Sequence, residues 1–324
     1  RLALPQGVEQ QWLMARKGKL QIYTEYAVAK GIFTALSLLP RRWAVGLGVA
    51  VGRLGFRMLG GLRRVAIRNL ELAYPEMSPE ERQRTARGTF ESLGRVLGEA
   101  SQLRKITPEN IRDIVDFDLG PEIDALYEKV KKERRGILIT TGHMGNWELL
   151  VQGFAILYEP ISFLARPIDN PLIEDMANSL RTRFGARPIN KSNSAMTGIS
   201  ILREGGFLGA LVDVNAHPKE GVFVPFFGIP ACTTSGAALM AIRSGALIFP
   251  CFCVYDAEAG KYKFVHGDPI EPTITGDRKA DVLATTEAFT REIEAIIRRY
   301  PDQWLWIHKR WKTRPKGEPD LYRG

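Results

Sequence analysis

In the segment TGHMGNWELL (141–150) an imidazole and a carboxylate, His143 and Glu148, follow the apolar run GILITT (136–141) at a separation of five positions. On one helix that spacing would turn the two side chains about 140° apart. The local pattern avoids this. The apolar run predicts a buried strand, Asn146 is a good helix cap, and a helix opening at Trp147 leaves His143 in the preceding turn with Glu148 in the first helical turn. The two side chains can then meet. A carboxylate on one imidazole nitrogen fixes the tautomer and stabilises the imidazolium, freeing the other nitrogen to take a proton from an alcohol. Gly142 and Gly145 permit close backbone approach around the imidazole.

Other reactive side chains stand at corresponding places. Arg166 follows the predicted strand ISFLA (161–165), and Asp213 ends the predicted strand FLGALVD (207–213). Together with His143 they fall at carboxyl ends of strands, the edge where open α/β sheets bind ligands. Arg166 suits a phosphate or carboxylate, because a guanidinium grips two oxygens at once. Asp213, with Asn215 nearby, could hold Arg166 or the substrate, or simply form a turn. Asn146 is counted with the candidate substrate contacts. In VFVPFFG (222–228) bulky apolar residues stand beside the polar VDVN (212–215), which suits either an acyl-chain groove or core packing.

The elements that must position these residues are legible from about residue 61. GLRRVAIRNLELAY (61–74) carries an apolar stripe at helical spacing, and SPEERQRTARGTFESLGRVL (78–97) opens with a capping box of Ser78 and Glu81. Beyond residue 111 short β-branched runs alternate with helices, adding ARPIN (186–190) and ALIFPCFCVY (246–255) to the strands above. This is the rhythm of an α/β fold, a mostly parallel central sheet flanked by helices.

Ahead of it, GIFTALSLLP (31–40) and WAVGLGVAVG (43–52) are apolar but divided by Arg41 and Arg42. Each is shorter than the roughly 20 residues of a spanning helix. Residues 20–60 therefore read as a membrane-associating helical segment lying on or dipping into one leaflet, its arginines reaching for lipid phosphate, or else as a core helical hairpin. The expected division is 1–60 for these helices and 61–324 for the domain that carries the site. The apolar stretch 221–242 is broken by Pro225, Pro230 and the run Thr233–Ser235, and is not expected to span.

The chain has 324 residues, with 45 Lys and Arg against 36 Asp and Glu, for a formal charge of +9. That excess suits an anionic membrane or a phosphorylated substrate. Nucleic acid is disfavoured, since the cations are dispersed and no helix-turn-helix or RNA-binding aromatic signature is present. Three cysteines without metal-ligand spacing argue against a disulfide scaffold or structural zinc, and for a reducing, cytosol-facing site. The first residues do not read as a secretory signal. Cys251 and Cys253 share a strand face and read as packing, and His217, His266 and His308 as structural. In YPDQWLWIHKRWKTRP (300–315), Trp304, Ile307 and Trp311 fall at roughly helical spacing among cations, which fits a membrane-interface helix or a core helix burying its indoles.

Taken together, RRVAIRNLELAYPEMSPEERQR, TGHMGNWELL, FLARPIDNPLIEDM, GVFVPFFGIPACTTSGAALMAIRSGALIFP and DQWLWIHKRWKTRP resemble, in order and spacing, the bacterial lipid A late acyltransferases of the lysophospholipid acyltransferase superfamily. The resemblance implies that His143 and Glu148 form the catalytic motif, a histidine followed after four residues by an acid, and that Arg166 belongs to a substrate-binding block. Arg183 and Lys191 are further candidates for anionic head-group oxygens. VDVNAHPKEGVFVPFFG departs from the Glu-Gly-Thr-Arg form of glycerolipid enzymes, which favours the lipid A branch. The implied reaction moves a fatty acyl group from acyl carrier protein, or coenzyme A, to a hydroxyl of a phosphorylated glycolipid at the cytoplasmic face of the inner membrane, without metal or redox cofactor. The competing readings are acylation of a phosphatidylinositol mannoside or another glycolipid, and a non-catalytic basic membrane-binding protein.

Overall fold

Strands that are apolar on both faces must be covered on both faces, and the arrangement of this chain follows from that requirement. A computed structural model of the chain describes residues 18–165, 167–190 and 194–323. Among them a seven-stranded sheet runs in the order β1 (Val115–Asp116), β9 (Lys261–His266), β8 (Leu247–Asp256), β2 (Ile137–Thr141), β5 (Phe207–Leu211), β3 (Ile161–Ala165), β4 (Arg187–Asn190). From β8 to β4 every pairing is parallel; β9 runs antiparallel to β8 and parallel to β1. The predicted strands are all present, within one or two residues at their ends. The sequence reading missed β1, β9 and the separate hairpin of β6 (Gly221–Phe226) and β7 (Ile229–Thr234). Its two-residue turn is Phe227-Gly228, both at positive φ, as a tight hairpin twist requires. The apolar run 221–234 is thus strand and turn.

Alternate side chains of the central strands feed two cores. Leu138, Leu208, Ile248 and Phe252 face one, with α9 (Ser194–Arg203), α10 (Gly236–Ser244) and α11 (Arg278–Arg299) over them. Ile137, Ile139, Phe207, Phe249, Cys251 and Cys253 face the other, under α6 (Pro121–Lys132), α7 (Trp147–Leu157) and α8 (Pro171–Arg181). The two cysteines do share a face. Both are buried thiols whose pKa burial pushes up, so they pack rather than react.

The N-terminal half is helical: α1 (Lys19–Leu38), α2 (Arg41–Met58), α3 (Gly60–Ala73), α4 (Pro79–Gln102) and a single turn, α5 (Ile111–Ile114). The capping box on α4 is formed as read, with Ser78 accepting from the Glu81 N–H and Glu81 from the Ser78 N–H. Residues 1–60 had been read apart from the rest, yet α2 lies directly on α4. A Cβ on Gly48 would sit 2.2 Å from the Gly94 carbonyl oxygen, and one on Gly52 would sit 2.1 Å from that of Phe90. Arg41, expected to seek lipid, instead grips buried Glu99 with two nitrogens. Glu99 is held above its ordinary pKa by burial, which the Arg41 contact opposes.

No single helix among the described residues is long and apolar enough to cross a bilayer; α2 and α3, bent by 88°, reach that length and composition only as a pair. Trp43, Leu47, Val51, Leu54 and Met58 of α2, and Leu20 and Leu38 of α1, are nevertheless exposed.

Of the two readings of the C-terminal segment, burial of the indoles in the core holds, but the segment is not a helix. Residues 301–303 form one 3₁₀ turn and the rest of 304–315 is irregular, not helical. Trp304, Trp306, Trp311 and Arg310 are at most 1% exposed, the rings edge-on or tilted against Phe226 and one another and the guanidinium over the Phe226 ring. Indoles buried in the core cannot serve as interface anchors.

Candidate active site

Parallel pairing of β2 with β5 places Thr141 beside Leu211, and the ladder continues with the Val212 N–H donating to the Thr141 carbonyl at 3.0 Å. His143 and Asp213 each lie two residues past that pair. Their side chains meet there. Nδ1 of His143 is 2.9 Å from Oδ1 of Asp213, and the His143 backbone N–H donates to Oδ2 at 2.7 Å. Trp304 Nε1 donates to the same Oδ2 at 2.8 Å. The Asp213 side chain is fully buried, whereas that of His143 is 30% exposed. With Nδ1 occupied, Nε2 is the nitrogen able to accept a proton.

The sequence offers Asp213 as a partner for Arg166 or substrate, or as a turn former; in the fold it is the carboxylate that holds His143. Glu148, which had been given that part, is engaged elsewhere. Its oxygens take Arg181 Nε at 2.8 Å and also Nη2, a two-point ion pair on the wall beside the imidazole. The strand-to-helix reading was correct in itself, since Asn146 caps α7 by accepting from the Leu149 N–H at 3.1 Å. What it left out was a carboxylate arriving from the neighbouring strand.

Two opposing effects set the charge state of the pair. Burial disfavours the imidazolium, but the Asp213 charge and hydrogen bond outweigh it and hold His143 above its ordinary value of 6.5. Burial also works against the Asp213 carboxylate, and here the His143 charge, with the donors from His143 and Trp304, pulls the pKa below 3.8.

The turn is tightly constrained. Gly145 has φ +57°, and a Cβ there would lie 2.1 Å from the Cys253 carbonyl oxygen, which accepts the Asn146 N–H at 2.7 Å. At Gly142 a Cβ would come within 2.9 Å of the Asp213 carboxylate. Both glycines serve the close approach expected of them. The Trp147 ring stands edge-on to the imidazole, centroids 5.2 Å apart.

Beside His143 a cavity of about 330 Å³ opens among β2, β3, β5 and α7. Its walls are Ile139, Leu150, Val151, Ile161, Phe163, Leu164, Ala210 and Leu211, and Gly209 leaves room between strands. The polar lining is His143, Thr141, Glu148 and Arg181. The hydroxyl of Thr141 is buried and has no hydrogen-bond partner among the described residues. Of the two readings of segment 222–228, core packing is the one the fold shows, and the cavity beside His143 is built from other segments. Val224, Phe226 and Phe227 are core residues.

The remaining candidates divide. Asn146 is 1% exposed and serves as the cap, not as a substrate contact. Arg183 donates to the Leu103 carbonyl and does not line this cavity. Arg166 and Lys191 lie outside the described residues. Trp304 and Arg310 were missed as site residues. Arg310 donates to the carbonyls of Cys232 at 2.9 Å and Val214 at 3.5 Å, fixing the backbone just beyond Asp213. His308, read as structural, accepts the Asn215 N–H on Nε2 at 3.1 Å.

A buried carboxylate holding an imidazole at the carboxyl edge of a parallel sheet, beside an apolar cavity, can take a proton from a hydroxyl and has room for a hydrocarbon chain next to it. The family model for bacterial lipid A biosynthesis acyltransferases matches residues 14–313, and the chain belongs to that family. It is 29% identical over 307 residues to the lipid A biosynthesis lauroyltransferase of Escherichia coli (strain K12), covering 90% of this chain and 92% of that one. It is 31% identical to the palmitoleoyltransferase of the same strain, over 85% and 87% of the two chains. With the myristoyltransferase it shares 24% identity over 88% and 91%. The protein is an acyltransferase of lipid A biosynthesis.

Proposed function

We propose that this enzyme transfers a fatty acyl group from the thioester of an acyl carrier protein, or of coenzyme A, to a hydroxyl of a phosphorylated lipid A precursor, with His143 as general base. The observation that carries the reading is the Asp213–His143 pair opening on an apolar cavity. His143 Nε2 takes the acceptor hydroxyl proton as the oxygen attacks the thioester carbonyl. Collapse of the tetrahedral intermediate breaks the C–S bond, and the leaving thiolate recovers the proton from the imidazolium. Asp213 keeps Nδ1 protonated and stabilises the charge that forms. No covalent acyl-enzyme is required. The cavity takes the hydrocarbon chain, and the Glu148–Arg181 pair places charge at its wall.

The exposed apolar residues of α1 and α2, with a net charge of +9, support attachment to the cytoplasmic face of the inner membrane through one leaflet. The names of the relatives favour a lipid A acceptor over other glycolipids.

The test is transfer by the purified enzyme, in detergent, to a lipid A precursor from acyl carrier protein or coenzyme A thioesters of graded chain length, read by mass spectrometry. Wild type should form an ester product, and His143→Ala should lose about 10²–10⁴ of the rate with its fold intact. A folded His143→Ala enzyme with near wild-type turnover would remove the base assignment.

A further inference from the structure

Away from His143, a second and larger cavity of about 860 Å³ lies between α3 and the C-terminal segment. Its charged lining is entirely cationic: Arg64, Arg68, Lys309 and Arg323. Glu71 engages Arg68, and Asp320 engages Arg323. Arg64 and Lys309 have no carboxylate partner among the described residues. Two cations left without a counter-charge raise the local potential and favour an anion.

The groove is held in shape by buried contacts. Asn69, fully buried, donates to the carbonyls of Trp306 and His308 at 2.6 and 2.7 Å, tying α3 to the segment that carries Lys309. Tyr322 donates to the Asn69 oxygen at 2.5 Å, and its ring lies 5.4 Å from Lys309 Nζ. Arg68 Nε donates to the Leu321 carbonyl at 2.9 Å.

The other side of the groove is apolar, with Leu59 and Leu62 half exposed. These continue the exposed track of Leu47, Val51, Leu54 and Met58 on α2. Apolar surface that gives way to cations suits a lipid whose chains lie along the leucines and whose phosphate meets Arg64 and Lys309. A soluble acidic protein would leave the leucines without a partner. The groove also connects with the reaction centre through bonded neighbours. His308, next to Lys309, holds the backbone of Asn215, two residues past Asp213.

We infer that this groove receives a phosphate of the glycolipid acceptor and so orients its hydroxyl toward His143. The inference rests on the acceptor class proposed above. It is tested with Arg64→Ala/Lys309→Ala, and with Arg64→Lys as the conservative variant. Equilibrium binding to a phosphorylated lipid A precursor in micelles, and kcat/KM on that precursor and on the same precursor stripped of phosphate, are the readouts. The double variant should bind the phosphorylated precursor about tenfold or more weakly, with most of the loss absent for the stripped one, and Arg64→Lys should retain an intermediate affinity. Equal losses on both precursors would overturn the inference, as would a defect confined to vesicles of anionic phospholipid with precursor binding unchanged. Wild-type enzyme that binds the precursor without acylating it would instead contradict the proposed function and leave the groove assignment standing.

Discussion

Asp213→Asn separates the orienting carboxylate from its charge at constant size. Two N–H donors, the His143 backbone and Trp304 Nε1, converge on Oδ2 at 2.7 and 2.8 Å, and neither can reverse its role. An asparagine must therefore place its oxygen there and its NH₂ group where Oδ1 faced His143 Nδ1 at 2.9 Å. An amide donor at that point demands a lone pair on Nδ1. The imidazole must then carry its proton on Nε2, the nitrogen that should accept one from the acceptor. A wrong tautomer in an otherwise intact relay costs up to about 10⁴ in kcat, or about 5 kcal/mol of barrier. Folding should survive, because both bonds to the remaining oxygen persist.

The variant also predicts a pH signature. In wild type the raised His143 pKa puts the acid limb of kcat/KM above 6.5. Loss of the carboxylate leaves burial alone, so any residual activity should titrate at lower pH. Stability follows the same groups. His143, raised on folding, contributes below 6.5 and loses that contribution as pH rises through its folded pKa. Asp213, lowered, contributes above 3.8 and loses it as pH falls through its folded pKa. The pair thus stabilises fully between those two values, and the Tm difference between wild type and Asp213→Asn should be largest in that window. The assay is kcat/KM against pH on protein verified by circular dichroism. A folded Asp213→Asn enzyme with wild-type kcat and an unmoved acid limb would refute the reasoning.

Glu148→Gln breaks the ion pair with Arg181 but leaves the imidazole tautomer alone, so it should lower kcat/KM at least tenfold less than Asp213→Asn, with its acid limb in place; equal losses and a shifted limb would return the orienting role to Glu148. Gly145→Ala adds a Cβ 2.1 Å from the Cys253 oxygen at φ +57°, and the turn carrying His143 must shift. A loss of about 10²-fold in turnover with a Tm drop of a few degrees is expected from rate assay and calorimetry, and unchanged turnover would show that the turn tolerates the displacement.

The parallel sheet and the helix caps were legible because their signals are local. An apolar strand, Asn146 and an amphipathic continuation lie within a dozen residues, and Ser78 with Glu81 within four. The pairing of Asp213 with His143 depends on which strand lies next to β2, a fact of sheet order that no local window contains. Glu148 is the partner that the local strand–turn–helix pattern and the resemblance both offer, because each reads residues near in sequence. The fate of Trp304 was illegible for a related reason. A segment that interleaves tryptophan with lysine and arginine satisfies both an interface helix and a core strap, and only the aromatic wall of Phe226 across the fold decides. The small-residue contact of α2 on α4 was hidden because glycines in a helix read as weakness rather than as an interface.

The buried charges show why the C-terminal strap belongs to the reaction centre. Among the described residues Asp213 has three donors but no cation permanently in contact, since the imidazole is charged only part of the time. Arg310, fully buried, has no contacting carboxylate among the described residues, and burial lowers its pKa to about 10, while the Asp213 charge opposes that drop. The Asp213 charge therefore offsets part of the desolvation of Arg310 through space. Arg310 meanwhile spends its donors on the carbonyls of Val214 and Cys232, joining β7 to the loop that carries Asp213. A direct Arg–Asp salt bridge would have taken an oxygen from His143 or Trp304 and weakened the orientation of the base. A guanidinium committed to Val214, Cys232 and Thr233 leaves both carboxylate oxygens to His143 and Trp304, whose donors and charge hold Asp213 ionised.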